Sequence, residues 1–242
     1  MKMVVGLLAL LVLPVFALHA EPSKVPAFSR MTPGGEISGW QPLKPAPNAA
    51  DTRYTLVHDD EHTVLKAEAQ ASMSGLTHAV SVNLREFPLL RWRWKVAAPV
   101  AAANMMTKAG DDYAARIYVI FDYPLEKLPF STRAKFKLIE SLYGQKVPTA
   151  ALNYVWDNRQ PVGTIRPNAY TDRARMIVLQ SGTRLSGQWV TETRDLAADF
   201  RAAFGEQAPQ VIGIALATDT DNTGTTATAW YGDIEFLHRT DQ

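Results

Sequence analysis

The run Leu90-Arg91-Trp92-Arg93-Trp94-Lys95-Val96 constrains this chain more than any other segment. Side chains on a strand alternate between its two faces. As a strand, the run sets Leu90, Trp92, Trp94 and Val96 on one side and Arg91, Arg93 and Lys95 on the other. Two neighbouring indoles, each burying on the order of 200 Å², demand a second layer to cover them. The cations, about 7 Å apart along the strand, demand solvent or counter-charges. A strand that is greasy on one face and basic on the other belongs at the surface of a two-sheet sandwich. Short β-type runs recur along the rest of the chain, at Tyr54–His58, Thr63–Ala69, Leu76–Val82, Ala114–Phe121, Leu152–Trp156, Met176–Gln180, Val211–Thr218 and Thr226–Phe236. Ile37-Ser38-Gly39-Trp40 adds a short strand candidate with a Trp able to plug a core.

Many short strands separated by turn residues predict a mainly β fold, a jelly-roll-type antiparallel β-sandwich, rather than βαβ units. Two short helices interrupt the pattern. One starts with Ser131 as N-cap, carries Phe136, Ile139, Leu142 and Tyr143 on one face, and ends at Gly144. The other runs from Leu196 to Phe204, with Leu196, Phe200 and Phe204 at four-residue spacing and Gly205 closing it. No repeat, low-complexity tract or linker divides residues 21–242, which read as one domain.

Residues 1–20 read as a cleavable export signal: Lys2, an apolar stretch Val4–Leu18, and Ala20 before a polar segment. The stretch falls short of the roughly 20 apolar residues that span a bilayer, so a periplasmic protein without a stable membrane anchor after cleavage is expected. Lys2 is the one charge lost from 25 basic residues against 24 acidic ones, which leaves the mature chain formally neutral. A neutral chain has no global field to recruit nucleic acid. With 0 Cys, neither disulfides nor thiol chemistry is available.

Three segments could carry chemistry. The first pairs Arg91 and Arg93 with the stretch Asp111-Asp112-Tyr113-Ala114-Ala115-Arg116-Ile117-Tyr118. If the two strands are neighbours, Arg91, Arg93, Asp111, Asp112, Arg116 and Tyr118 form one polar surface, suited to hydroxyl-rich or anionic ligands. The alternative is a solvated outer sheet face. The second is Thr218-Asp219-Thr220-Asp221-Asn222-Thr223-Gly224, which begins like a calcium loop. Thr223 and Trp230 then stand where an Asp or Asn and a Glu belong, so the choice lies between a polar turn and a calcium site built from Asp219, Asp221 and backbone carbonyls. The third is Tyr154 and Trp156, on one strand face, as a sugar-stacking platform or as core. The histidines lack metal-ligand spacing except for the pair His58 and His62, which lies across an acidic turn and not on a predicted helix, and no nucleophile elbow, phosphate loop or dinucleotide fingerprint occurs.

These same strings, from Phe87 to Val96, Gly110 to Arg116, Leu152 to Trp156, Asp219 to Gly224 and Trp230 to Ile234, together resemble a family of exported bacterial proteins catalogued as a domain of unknown function. The resemblance spans nearly all of the mature chain and carries no catalytic residue with it. More distantly the chain looks like the galactose-binding type of jelly-roll module, which implies a fold. The expectation is therefore a binding module for a saccharide or other polar cell-envelope ligand, with no cofactor unless calcium. The alternatives are an envelope polysaccharide-acting enzyme using Asp111, Asp112, Asp219 or Asp221 as acid and base, and a ligand-free interaction or structural protein.

Overall fold

Two sheets face each other across a core built from the alternating residues of both. The computed structural model describes residues 24–44, 49–59, 61–134, 137 and 148–241. The strands are β1 (Gln41–Leu43), β2 (Arg53–Asp59), β3 (His62–Gln70), β4 (Met73–Val82), β5 (Leu89–Val96) and β6 (Arg116–Phe121). They continue as β7 (Ala150–Asp157), β8 (Ile165–Pro167), β9 (Ala174–Ser181), β10 (Val190–Asp195), β11 (Val211–Asp219) and β12 (Thr226–Leu237). The large sheet has the order β1-β4-β11-β6-β7-β9-β8, the small one β10-β5-β12-β3-β2. The chain crosses between sheets at β1/β2, β3/β4, β4/β5, β5/β6, β9/β10, β10/β11 and β11/β12, as a jelly-roll-type sandwich requires. One pairing departs from the antiparallel expectation: β7 and β9 run parallel.

The indoles of β5 point inward as the alternation demands. Trp92 and Trp94 are buried and meet edge to face at 5.6 Å. Across the core, Trp92 packs on Tyr154 (5.1 Å) and Trp94 on Trp156 (6.1 Å), so an aromatic block from β5 and β7 ties the sheets together. Tyr154 and Trp156 are thus core residues and not a stacking platform. The Tyr154 hydroxyl donates to Asp199 (2.7 Å) and the Trp156 Nε1 to Gly182 O (3.1 Å), the polar handles that buried Tyr and Trp need.

The helix α1 (Leu196–Phe204) matches its sequence expectation. Asp195 caps it by accepting from Ala198 N (3.0 Å), Gly205 ends it at φ 74°, and Phe200 packs on Phe121 at 4.7 Å. The other predicted helix falls mostly outside the described residues, including Phe136, Ile139, Leu142, Tyr143 and Gly144; helical backbone is already present at 130, one residue before Ser131. Residues 1–20, expected to be an export signal, also lie outside them. Ile37–Trp40 is not a strand, but Trp40 does plug the core, stacking on Phe28 at 5.2 Å. Among the described residues no helix is long and apolar enough to cross a membrane.

Candidate functional site

The structure separates the residues that the sequence grouped. β5 pairs with β10 and β12, whereas β6 pairs with β11 and β7. Arg91 and Arg93 consequently lie on the outer face of the small sheet. Arg116 and Tyr118 lie on the outer face of the large sheet, on the other side of the sandwich. A single surface uniting them does not exist, because alternation fixes which face a residue takes but not which sheet its strand joins.

Arg116 sits under a canopy of loops, and its side chain is 1% exposed. It stands beside Ala217 of β11, and Asp219, two residues further along that strand, reaches the same guanidinium. Nε donates to Asp219 Oδ1 at 2.8 Å and Nη2 to Asp219 Oδ2, a fork-on-carboxylate pair. Nη1 donates to the Tyr118 hydroxyl (2.9 Å) and Nη2 to the Asp111 carbonyl (2.7 Å). Four of its five N–H groups are therefore engaged. Burial pushes the Asp219 carboxyl upward, and Arg116 opposes that shift. Asp219, Tyr118 and Asp111 keep the guanidinium charged against the same burial. Burial also pushes the Tyr118 phenol up to about 12.

Asp112 performs a different task from the one expected of it. Fully buried, it accepts from Asn222 N and Nδ2 (both 3.2 Å) and from Thr223 N (2.6 Å), tying the β11–β12 turn to the segment before β6. Asp112, Asp219 and Asp221 each bring a carboxylate oxygen within 4.8 Å of the others. Calcium needs six to eight oxygen ligands. Here both oxygens of Asp112 and of Asp219 already accept hydrogen bonds, and the Arg116 guanidinium stands beside the cluster as its counter-charge. The residues do not fit a calcium ion. The turn reading describes this loop.

Above Arg116 and Tyr118 opens a cavity of about 80 Å³. Its floor is the outer face of the large sheet, lined by Leu43, Gly75, Ala151, Ala174 and Ala217. These come from β1, β4, β7, β9 and β11, and the cavity exists because four of the five are glycine or alanine. Its rim is polar: Asp111, Asn168, Tyr170, Asp221 and Asn222. The rim is cross-linked before any ligand arrives. Asn168 Nδ2 donates to Asp111 (2.9 Å), Tyr170 N to Asn168 Oδ1 (2.9 Å), and the Tyr170 hydroxyl to Asn222 Oδ1 (2.9 Å). Burial raises the Asp111 carboxyl above the ordinary aspartate value, with Arg116 and Asn168 opposing; Asp221 is raised by burial and then by Asp112.

Comparison with known sequences places the chain. A family model described as "Protein of unknown function (DUF3047)" matches residues 38–235. The chain belongs to the DUF3047 family. No curated protein matches this DUF3047 sequence. Among solved structures, it is similar to the family 30 carbohydrate-binding module of a cellulosomal cellulase of Clostridium thermocellum. The two share 10% identity over 86% of this chain and 90% of that one, with a TM-score of 0.37. It is also similar to the glycoside hydrolase domain of Endo-D from Streptococcus pneumoniae R6. That match has 8% identity and a TM-score of 0.30, covering 81% of this chain and 20% of that one.

Of the DUF3047 site residues expected from sequence, Asp111, Arg116, Tyr118 and Asp221 line the cavity. Asp112 and Asp219 do not line it but hold residues that do, Asp112 through Asn222 and Asp219 through Arg116. Arg91 and Arg93 lie elsewhere, and Tyr154 and Trp156 are core. Asn168, Tyr170, Asn222 and the small floor residues were missed. One signal for the floor was present: β11 reads Gly213-Ile214-Ala215-Leu216-Ala217, large and small in strict alternation.

Proposed function

We propose that this protein is an exported binding module whose large-sheet cavity takes a saccharide or similar polyhydroxylated component of the cell envelope. The observation that carries the reading is the pairing of an apolar floor with a prearranged polar rim. A sugar ring offers the same two surfaces, a C–H face and a girdle of hydroxyls. Small-molecule sites combine apolar lining with a few fixed polar groups in this way. The rim supplies acceptors in Asp111 and Asp221 and amides in Asn168 and Asn222, held by the hydrogen bonds described above.

The test is calorimetric titration of the mature protein, residues 21–242, against a panel of envelope-derived oligosaccharides. Ala217→Leu and Ala151→Leu put bulk into the cavity without touching a charge. Both should abolish binding of any hit while leaving the folded protein intact by circular dichroism. Undiminished affinity in both variants would refute the assignment.

A further inference from the structure

The outer face of the small sheet holds a second feature that the cavity does not explain. Three cations of β5 stand there in a row, and two are neutralised. Arg91 pairs with Glu235 at 2.9 Å, and Lys95 pairs with Asp59. Arg93, between them, is different. Among the described residues no carboxylate lies within ion-pair distance of its guanidinium, and none of its N–H groups is in a hydrogen bond.

Two contacts nevertheless fix where Arg93 lies, and neither consumes a donor. Its guanidinium carbon sits 4.5 Å from the centre of the Trp189 ring, a cation–π contact. Its stem lies flat on Gly232, where a β-carbon would come within 2.4 Å of Arg93 Cγ and 2.7 Å of Nε. That approach is made by a bulge: β12 leaves its register with β5 between Tyr231 and Ile234, which sets Gly232 under the arginine. Lys95 completes the support, with its ammonium 5.0 Å from the same Trp189 ring and 4.6 Å from the Trp230 ring.

The guanidinium lies in a groove of about 330 Å³ shared with Ser29, His62, Thr191, Asp233 and Glu235. The two acids in this groove are occupied. Asp233 accepts from Ser29 N (2.9 Å) and Ser29 Oγ (2.5 Å), and Glu235 is held by Arg91. What remains is a positioned arginine fork with its donors unspent, beside the side chain of Thr191, which is paired with it across the strands. A guanidinium fork matches oxyanions in geometry and charge.

We propose that this groove is an oxyanion-binding site, distinct from the large-sheet cavity, with Arg93 as the residue that grips the anion. The ligand class is a carboxylate or a sulfate-type group presented by a small or sugar-borne molecule. Trp189 and Gly232 are positioning residues.

The experiment titrates the mature protein with sodium galacturonate, sodium sulfate and uncharged galactose at constant ionic strength. The readout is the intrinsic fluorescence of the tryptophans, including Trp189. Saturable binding of at least one anion, with none by galactose at this groove, is expected, and the better anion identifies the source as carboxylate or sulfate. Arg93→Gln should weaken that binding roughly 10- to 100-fold, the loss of charge-assisted hydrogen bonds. Gly232→Ala keeps every charge but displaces the arginine, and it should weaken binding as well. Ala217→Leu, in the other cavity, should leave it unchanged, so this proposal and the saccharide reading fail separately. Absence of saturation by either anion, or equal affinity in Arg93→Gln, would overturn the proposal. A folded-state check by circular dichroism accompanies each variant.

Discussion

The Arg116–Asp219 pair allows a sharp test of how the site is built. Both side chains are essentially excluded from solvent, at 1% and 0% exposure. Asp219→Asn removes the countercharge while keeping the shape. Arginine cannot shed its proton within a protein, so the variant keeps a buried cation whose remaining carboxylate, Asp111, stands 3.8 Å from Nη1; removing one partner of a buried pair costs about 3–5 kcal/mol. For a chain of this size each kcal/mol moves Tm by about 2–4 °C. The expected fall is thus about 6–20 °C. Arg116→Met leaves the opposite charge, and that one has an escape. Burial already raises the Asp219 carboxyl, and removal of Arg116 takes away the main influence that lowers it. A carboxyl raised in the folded state is stabilising below the unfolded value of 3.8 and loses that contribution as pH rises through the folded value. The Arg116→Met penalty should therefore grow from pH 4 to pH 7, whereas the Asp219→Asn penalty, which removes the titrating group, should not grow. Arg116→Met combined with Asp219→Leu replaces the pair by apolar groups and should recover more than half of the single-variant loss. Calorimetric and urea unfolding at several pH values read all three. A Tm fall below about 2 °C in Asp219→Asn, or strictly additive losses in the double variant, would refute the buried pair.

Two further predictions concern residues whose sequence readings were open. Tyr154→Phe deletes a buried hydroxyl that donates to the Asp199 carboxylate, so urea unfolding should show a loss of about 1.5–3 kcal/mol. Saccharide and anion titrations should not change, and a binding defect would restore Tyr154 as a ligand contact. Excess calcium, or its removal with a chelator, should leave Tm unmoved, because binding to the folded state would raise it and the Asp112 and Asp219 oxygens are already committed; a calcium-dependent rise would show that the ion displaces the Arg116 contacts.

The strands that the sequence concealed share one physical feature. β2, β3, β4, β5, β6, β7, β9, β11 and β12 were recognisable; all but β2 have neighbours on both sides, and β2, the small-sheet edge beside β3, was readable from the run Tyr54–His58. β1, β8 and β10 were not recognised. Each is at a sheet edge: β1 and β8 bound the large sheet, and β10 bounds the small one. Edge strands are shielded by polar residues and proline, as in Gln41-Pro42-Leu43, Ile165-Arg166-Pro167 and Val190-Thr191-Glu192-Thr193-Arg194-Asp195. The devices that keep an edge from recruiting another chain also erase the alternation that announces a strand.

The same limit explains the divided site. Alternation in β5 correctly sent Trp92 and Trp94 inward and Arg91, Arg93 and Lys95 outward. Alternation in β6 equally placed Ile117 and Val119 in the core and Arg116 and Tyr118 outside. Each strand's pattern is a statement about its own two faces. Whether β5 and β6 share a sheet depends on the crossover between them, residues 97–115, which carry no periodic signal. An outward arginine therefore has two possible fates that its strand cannot distinguish. Over the large sheet, the loops bearing Asp111, Asn168 and Asn222 close above Arg116 and convert it into a buried strut with Asp219. On the small sheet no such canopy among the described residues covers Arg93, and stacking on Trp189 holds it with its donors unused. Both positions read as an outward arginine on an alternating strand; the loops above them decide which arginine supports the protein and which is left to meet a ligand.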